Sequence, residues 1–165
     1  MPTFVVLSFA LADACAGWYP IDDAVMGGRS ASSVHCVDGH LRFSGRVSLE
    51  NNGGFASIRS QPDRHDLGGC RGVVLLVKGD GKRYKLNLRM DGAFDSVQYQ
   101  GAFTAPTTWS EIEVPFTSFV GRFRGRPVSG APPLDPARIL TFGLLIADGQ
   151  EGPFVLDVAW IGAYP

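Results

Sequence analysis

An all-β fold, a two-sheet antiparallel sandwich of the jelly-roll kind, is the class this sequence predicts, and three observations predict it. Apolar residues recur at every second position in several short segments, the mark of half-buried strands. Asp-Gly and Gly-Gly steps fall between those segments, where tight turns need them. No stretch sustains the 3.6-residue apolar period of a helix. The 165 residues include 21 glycines and 11 prolines, above ordinary usage, and a chain of this length fits one domain, 1–165.

The elements follow in order. Residues 4–10 are an apolar run too short to span a bilayer. The first basic residue is Arg29, so the run lacks the positive flank of a signal peptide and reads as the first strand. Leu41, Phe43, Val47 and Leu49 alternate with polar residues or glycine. Tyr84, Leu86, Leu88 and Met90 alternate with Lys85, Asn87 and Arg89, which share the opposite face. Ile112, Val114 and Phe116 repeat the pattern, as do Phe154, Leu156, Val158 and Trp160. The unbroken apolar runs 73–77 and 142–147 suit central strands covered on both faces. About nine strands are expected. One helical start is visible: Asp135 as N-cap and Pro136 as first helical residue, good for a turn or two. Residues 122–133 read as an exposed loop with a basic start.

Charge and cysteine narrow the function classes. The net charge is −1, whereas a sequence-independent grip on nucleic acid needs a basic surplus. Arg122, Arg124 and Arg126 form the one local basic run. Cys15, Cys36 and Cys70 are dispersed and lack zinc spacing. They read as free buried thiols of a reducing, cytoplasmic compartment, with one disulfide and a leftover thiol as the lesser reading.

Two segments carry the strongest local signals. Residues 22–30 join Asp22 and Asp23 to Met26, Gly27, Gly28 and Ser30, and residues 50–55 join Glu50, Asn51 and Asn52 to Gly53 and Gly54. Gly-Gly permits positive φ or close approach of another chain, and Asp or Asn beside it holds a tight turn. Either the two carboxylates cap nearby backbone and meet Arg29 or Arg59, or they hold a cation with Glu50 or Asn51. Met26 is either a core plug or an exposed contact. The 51–54 loop is either an ordered turn or an amide-lined contact for sugar or peptide. Both segments are expected to lie together at one edge or face. Arg59, Arg89, Tyr99 and Gln100 are candidates for an open sheet face that presents aromatic and forked hydrogen-bonding groups. His35, His40 and His65 sit in turn-like contexts, no Gly-x-Ser-x-Gly elbow exists, and Gly79-Asp80-Gly81-Lys82 lacks phosphate-loop spacing. No catalytic residue, metal ligand set or cofactor is therefore assigned.

The sequence resembles the complex I intermediate-associated protein family. Trp18 precedes Asp22-Asp23-x-Val25-Met26-Gly27-Gly28-x-Ser30, and Phe43-x-Gly45-x-Val47 leads into Ser48-Leu49-Glu50-Asn51-Asn52-Gly53-Gly54-Phe55. Gly79 to Tyr84, Trp109 with Val114-Pro115-Phe116, the stretch from Gly143 to Asp148, and Gly152-Pro153-Phe154-x-Leu156 follow in order. The resemblance implies a galactose-binding-like sandwich related to carbohydrate-binding modules, without known catalytic residues. It implies a protein partner in assembly of NADH:ubiquinone oxidoreductase, for a stand-alone member of bacterial type. A carbohydrate-binding module is the alternative. RNA binding is a further one, since plant relatives of the domain occur in chloroplast RNA-associated factors.

Overall fold

Alternation decides which side of each strand meets the core. In the segment Arg83–Arg89, Tyr84, Leu86 and Leu88 are buried in the interior while Lys85, Asn87 and Arg89 turn to the other face. The computed structural model describes residues 3–11, 13–23, 27–93 and 96–165. Its strands are β1 (Phe4–Ser8), β2 (Trp18–Pro20), β3 (Ala31–Val37), β4 (His40–Val47), β5 (Ala56–Ser60), β6 (Gly72–Lys78) and β7 (Arg83–Arg89), then β8 (Gln98–Thr104), β9 (Ser110–Pro115), β10 (Val120–Phe123), β11 (Arg126–Pro127), β12 (Thr141–Ile146) and β13 (Gly152–Tyr164). Helix among the described residues is limited to isolated 3₁₀ turns such as Phe116–Ser118.

Two antiparallel sheets result. The first runs β3-β4-β13-β6-β9, and the second β11-β10-β8-β7-β12-β5-β2. The long β13 pairs β4 with its first half and β1 with its second half, and it pairs β6 along its other edge. Between the sheets sits an apolar core with Phe43, Tyr84, Phe103 and Phe154 at its centre; the Phe43 and Phe154 rings meet at 4.8 Å. Burial of such aromatic area is the main drive for closing the sandwich. Tyr84 brings a hydroxyl into this core and donates it to Asp80, which also accepts the Val155 N–H at 3.0 Å. Burial first, and the Asp80 charge second, push the Tyr84 phenol far above its ordinary value. The Gly79-Asp80-Gly81-Lys82 turn is therefore a tie between β7 and β13.

Several expectations meet the structure directly. The 4–10 run supplies β1, and β12 is buried along its whole length between β7 and β5. Asp135 caps a single 3₁₀ turn, Pro136–Arg138, by accepting the Ala137 N–H at 3.0 Å. Others are corrected. Thirteen strands appear among the described residues instead of nine, because β2, β10 and β11 are two to four residues long and show no period. The basic start of 122–133 is part of a hairpin, β10–β11, laid on β8. The cysteines are not all free thiols: Cys15 and Cys36 form a disulfide, and Cys70 alone stays free. The loop between β1 and β2 returns its Cys15 to β3, a pairing that sequence spacing does not reveal. No helix among the described residues is long and apolar enough to cross a membrane.

Candidate functional site

The two glycine-rich segments meet, and Asp23 is the reason. Its carboxylate is 1% exposed. Oδ2 accepts the Gly54 N–H at 2.7 Å, the Phe55 N–H at 3.3 Å and the Ser30 hydroxyl at 2.6 Å, and Oδ1 accepts the Ser30 N–H at 2.8 Å. Ser30 Oγ in turn accepts the Ser48 N–H at 2.8 Å. Burial raises the Asp23 carboxyl, but the donors from Ser30, Gly54 and Phe55 outweigh it and hold the group below the usual carboxylate range. Asp22 makes a second set of bonds. It accepts the Ser32 N–H at 2.9 Å, the Ser32 hydroxyl at 2.7 Å and the Ser57 N–H at 3.1 Å. Ser32 lies in β3 of the first sheet and Ser57 in β5 of the second, so this dipeptide joins the two sheets. Every oxygen of both carboxylates faces a donor, which is the capping arrangement and not a cation shell. Among the described residues no group of three or more His, Cys, Asp or Glu is placed to hold a metal.

The glycines serve this lock in two ways. A Cβ on Gly28 would lie 2.4 Å from Asp23 Cγ, and one on Gly53 2.5 Å from Asp23 Oδ2. These two glycines exist for close approach; Gly53 has φ −70°, so of the two uses a Gly-Gly step permits, close approach is the one it serves. Gly27 has φ +87° in open space, and Gly54 has φ +140°. Asn51 adopts φ 56° in the turn Glu50–Asn52, a left-handed position that asparagine tolerates well. Glu50, and neither aspartate, meets Arg29, at an exposed 3.5 Å. Met26 lies outside the described residues, so neither of its readings is addressed.

The lock forms one wall of a cleft. Phe55, held by Asp23, and Ile21, whose N–H donates to Ser57 O at 2.8 Å, stand at one side of a hollow of about 410 Å³ over the outer face of the second sheet. Arg124 and Gly125, from the β10–β11 hairpin, stand at the other. Between them lie Ser57, Arg59, Lys85, Arg89, Gln98, Gln100 and Leu145. Gly143, opposite both Arg59 and Asn87 in the ladder, leaves the middle of the floor without a side chain. A Cβ there would lie 2.9 Å from the Ile58 carbonyl oxygen.

Arg89 is 2% exposed and donates to Ala93 O and Ser96 Oγ. Burial, then the Arg59 charge, lowers its pKa against the pull of Asp91. Lys85 meets Asp148 at 3.5 Å. Arg59, Arg89 and Arg124 hold further contacts within the protein.

Arg59, Arg89 and Gln100 thus share the cleft, but Tyr99 does not. Adjacent residues of a strand face opposite ways, so Tyr99 pairs with Leu88, turns into the core at 4% exposure and donates its hydroxyl to Pro132 O. Sequence reasoning missed Ile21, Phe55, Ser57, Lys85, Arg124, Leu145 and Asp148. The alternation of Lys85, Asn87 and Arg89 placed a polar face in view; the return of the hairpin that brings Arg124 over it had no local signal.

The class of fold is a two-sheet antiparallel jelly roll, with an open cleft across the second sheet. A family 11 carbohydrate-binding module of a cellulosomal cellulase from Clostridium thermocellum superposes with a TM-score of 0.70 at 18% identity, over 99% of this chain and 94% of that one. The particular family is set by sequence: residues 7–158 match the family model, and the chain belongs to the Complex I intermediate-associated protein 30 (CIA30) family. The mitochondrial Complex I intermediate-associated protein 30 of Drosophila melanogaster is 28% identical over 97% of this chain and 62% of its own length. The mouse protein of the same name is 28% identical over 89% of this chain and 52% of its own. The chain therefore spans less than two thirds of the length of these relatives.

Proposed function

We propose that the chain is a non-catalytic binding module that captures a protein partner during assembly of respiratory complex I. The match to the family across 7–158, with relatives named for complex I intermediates, is the observation that carries this reading. The cleft suits binding, since its described lining combines cations, amides and an apolar end. Affinity isolation of the tagged chain from its native host tests it. Subunits of NADH:ubiquinone oxidoreductase should co-purify in substoichiometric, partly assembled form. Normal complex I assembly after deletion, with no such subunit captured, overturns it.

A second reading, sugar binding, is favoured by the fold shared with a carbohydrate-binding module and by Ser57, Gln98 and Gln100 in the cleft. The sole aromatic ring among the described lining residues is Phe55, whereas neutral sugars are commonly held by stacking on aromatic faces. Saturable binding of a neutral β-glucan oligosaccharide, lost on Gln100→Ala, would establish that reading. The Cys15 to Cys36 disulfide supports a location in which disulfides persist, in place of a reducing cytoplasm.

A further inference from the structure

We infer that the cleft over the second sheet recognises carboxylates, and that its occupant is an acidic segment of the partner polypeptide. The inference deepens the proposed function and rests on it only in taking the occupant to be protein. Charge is the first ground. The described lining carries four cations, Arg59, Lys85, Arg89 and Arg124, against one carboxylate, Asp148. Asp91, which meets Arg89 at 3.5 Å, reduces that excess without cancelling it. The chain as a whole has a net charge of −1, so this concentration of cations is local to the cleft.

Placement is the second ground. The cations come from β5, β7 and the β10–β11 turn, so they face the same hollow from its floor and from one wall. Arg124 holds φ 51° at the tip of that hairpin, a conformation a non-glycine residue adopts at a cost. The turn thereby carries an arginine to the rim. Three of the four are arginines, whose planar fork pairs with both oxygens of a carboxylate. A carboxylate arriving there exchanges with contacts these arginines already make within the protein. Recognition is thus a competition, and it calls for a ligand that supplies several carboxylates in a row.

Shape and chemistry of the walls are the third ground. Phe55, Ile21 and Leu145 give the cleft an apolar end, while Gln98, Gln100 and Ser57 offer both donors and acceptors. An extended peptide has backbone groups for the amides, carboxylates for the arginines and apolar side chains for the end wall. The volume of about 410 Å³ lies in the range of formed ligand sites and accommodates a few residues.

Calorimetric titration of the intact chain with a synthetic hexaglutamate peptide tests the inference, with hexaglutamine, an oligogalacturonate of equal charge and a neutral β-glucan oligosaccharide as comparison probes. Hexaglutamate should bind saturably at one site, weaken steeply with added salt and lose about tenfold or more in affinity in the double variant Lys85→Gln/Arg124→Gln. Arg124 is exposed on the rim and Lys85 is partly exposed with only the Asp148 pair to lose, so circular dichroism of this variant should match the parent and its melting should change little. Arg64→Gln, on an exposed loop, should leave binding unchanged. Absence of saturable hexaglutamate binding, equal binding by the double variant, or equal loss in Arg64→Gln overturns the inference. Binding of the oligogalacturonate but not of the peptide also overturns it, in favour of an acidic glycan. In the isolation experiment, complex I subunits captured equally by parent and double variant refute the cleft and leave the assembly role standing. If no such subunits are captured but hexaglutamate binds, the assembly role fails and the cleft stands.

Discussion

Asp23 and Arg89 are both charged and both nearly sealed, at 1% and 2% exposure, yet their surroundings differ in kind. Asp23 is enclosed by fixed donors of its own chain from Ser30, Gly54 and Phe55. Arg89 is held by Ala93 O, Ser96 Oγ and Asp91 as well, but it lies at the floor of a hollow with the like charge of Arg59 beside it. A buried charge is tolerated when the protein provides its counterpart in place. The family motif, which looks like a ligand loop in the sequence, is a satisfied lock; the less conspicuous alternation in β7 builds the floor of the cleft.

That contrast is broken most severely at Asp23. Asp23→Ala leaves several buried donors without an acceptor and should cost about 3 kcal/mol or more, measured by urea denaturation. The carboxyl is held below its ordinary value, so its stabilisation is complete above about pH 4, the unfolded value. It is lost as the pH falls through the lowered folded value. Asp23→Asn should flatten the acid limb of the stability curve, and an unchanged limb would show that the lock does not titrate.

Next is the disulfide. Cys15→Ser should cost about 3 kcal/mol by the loop-closure estimate for a bridge spanning 21 residues. In the native parent, alkylation followed by mass measurement should mark Cys70 alone. Smaller again is the glycine pair. Gly28→Ala drives a Cβ onto Asp23 and should cost about 2 kcal/mol, whereas Gly27→Ala meets only the backbone penalty of about 1 kcal/mol. Equal melting temperatures for the two variants would remove the distinction between close approach and positive φ. Smallest is Arg124→Gln, which should change stability by less than about 0.5 kcal/mol because Arg124 stands on an exposed turn.

Strands such as β4, β7 and β12 were legible because side-chain alternation, or its absence in a strand covered on both faces, is a local property. The meeting of 22–30 with 50–55 was legible because acidic residues beside Gly-Gly need partners once buried. What could not be read depends on contacts between distant segments. The Cys15 to Cys36 pairing requires the β1–β2 loop to return to β3. The arrival of Arg124 over the second sheet requires a hairpin whose strands are too short to show a period. Tyr99 was placed on the wrong face although the register was within reach: as the neighbour of Gln100 it had to point the other way.

The Asp22 bonds have a further consequence. Ser32 sits on β3, the edge of the first sheet, and Ser57 on β5, next to β2 at the edge of the second. An edge strand offers unpaired backbone groups to any other chain that approaches. By fastening β3 against the β5–β2 end, Asp22 keeps one margin of the sandwich closed to such pairing. Where that clasp is lost, as in Asp22→Ala, the first failure to expect is association of molecules edge to edge, visible as light scattering before the bulk of the fold has melted.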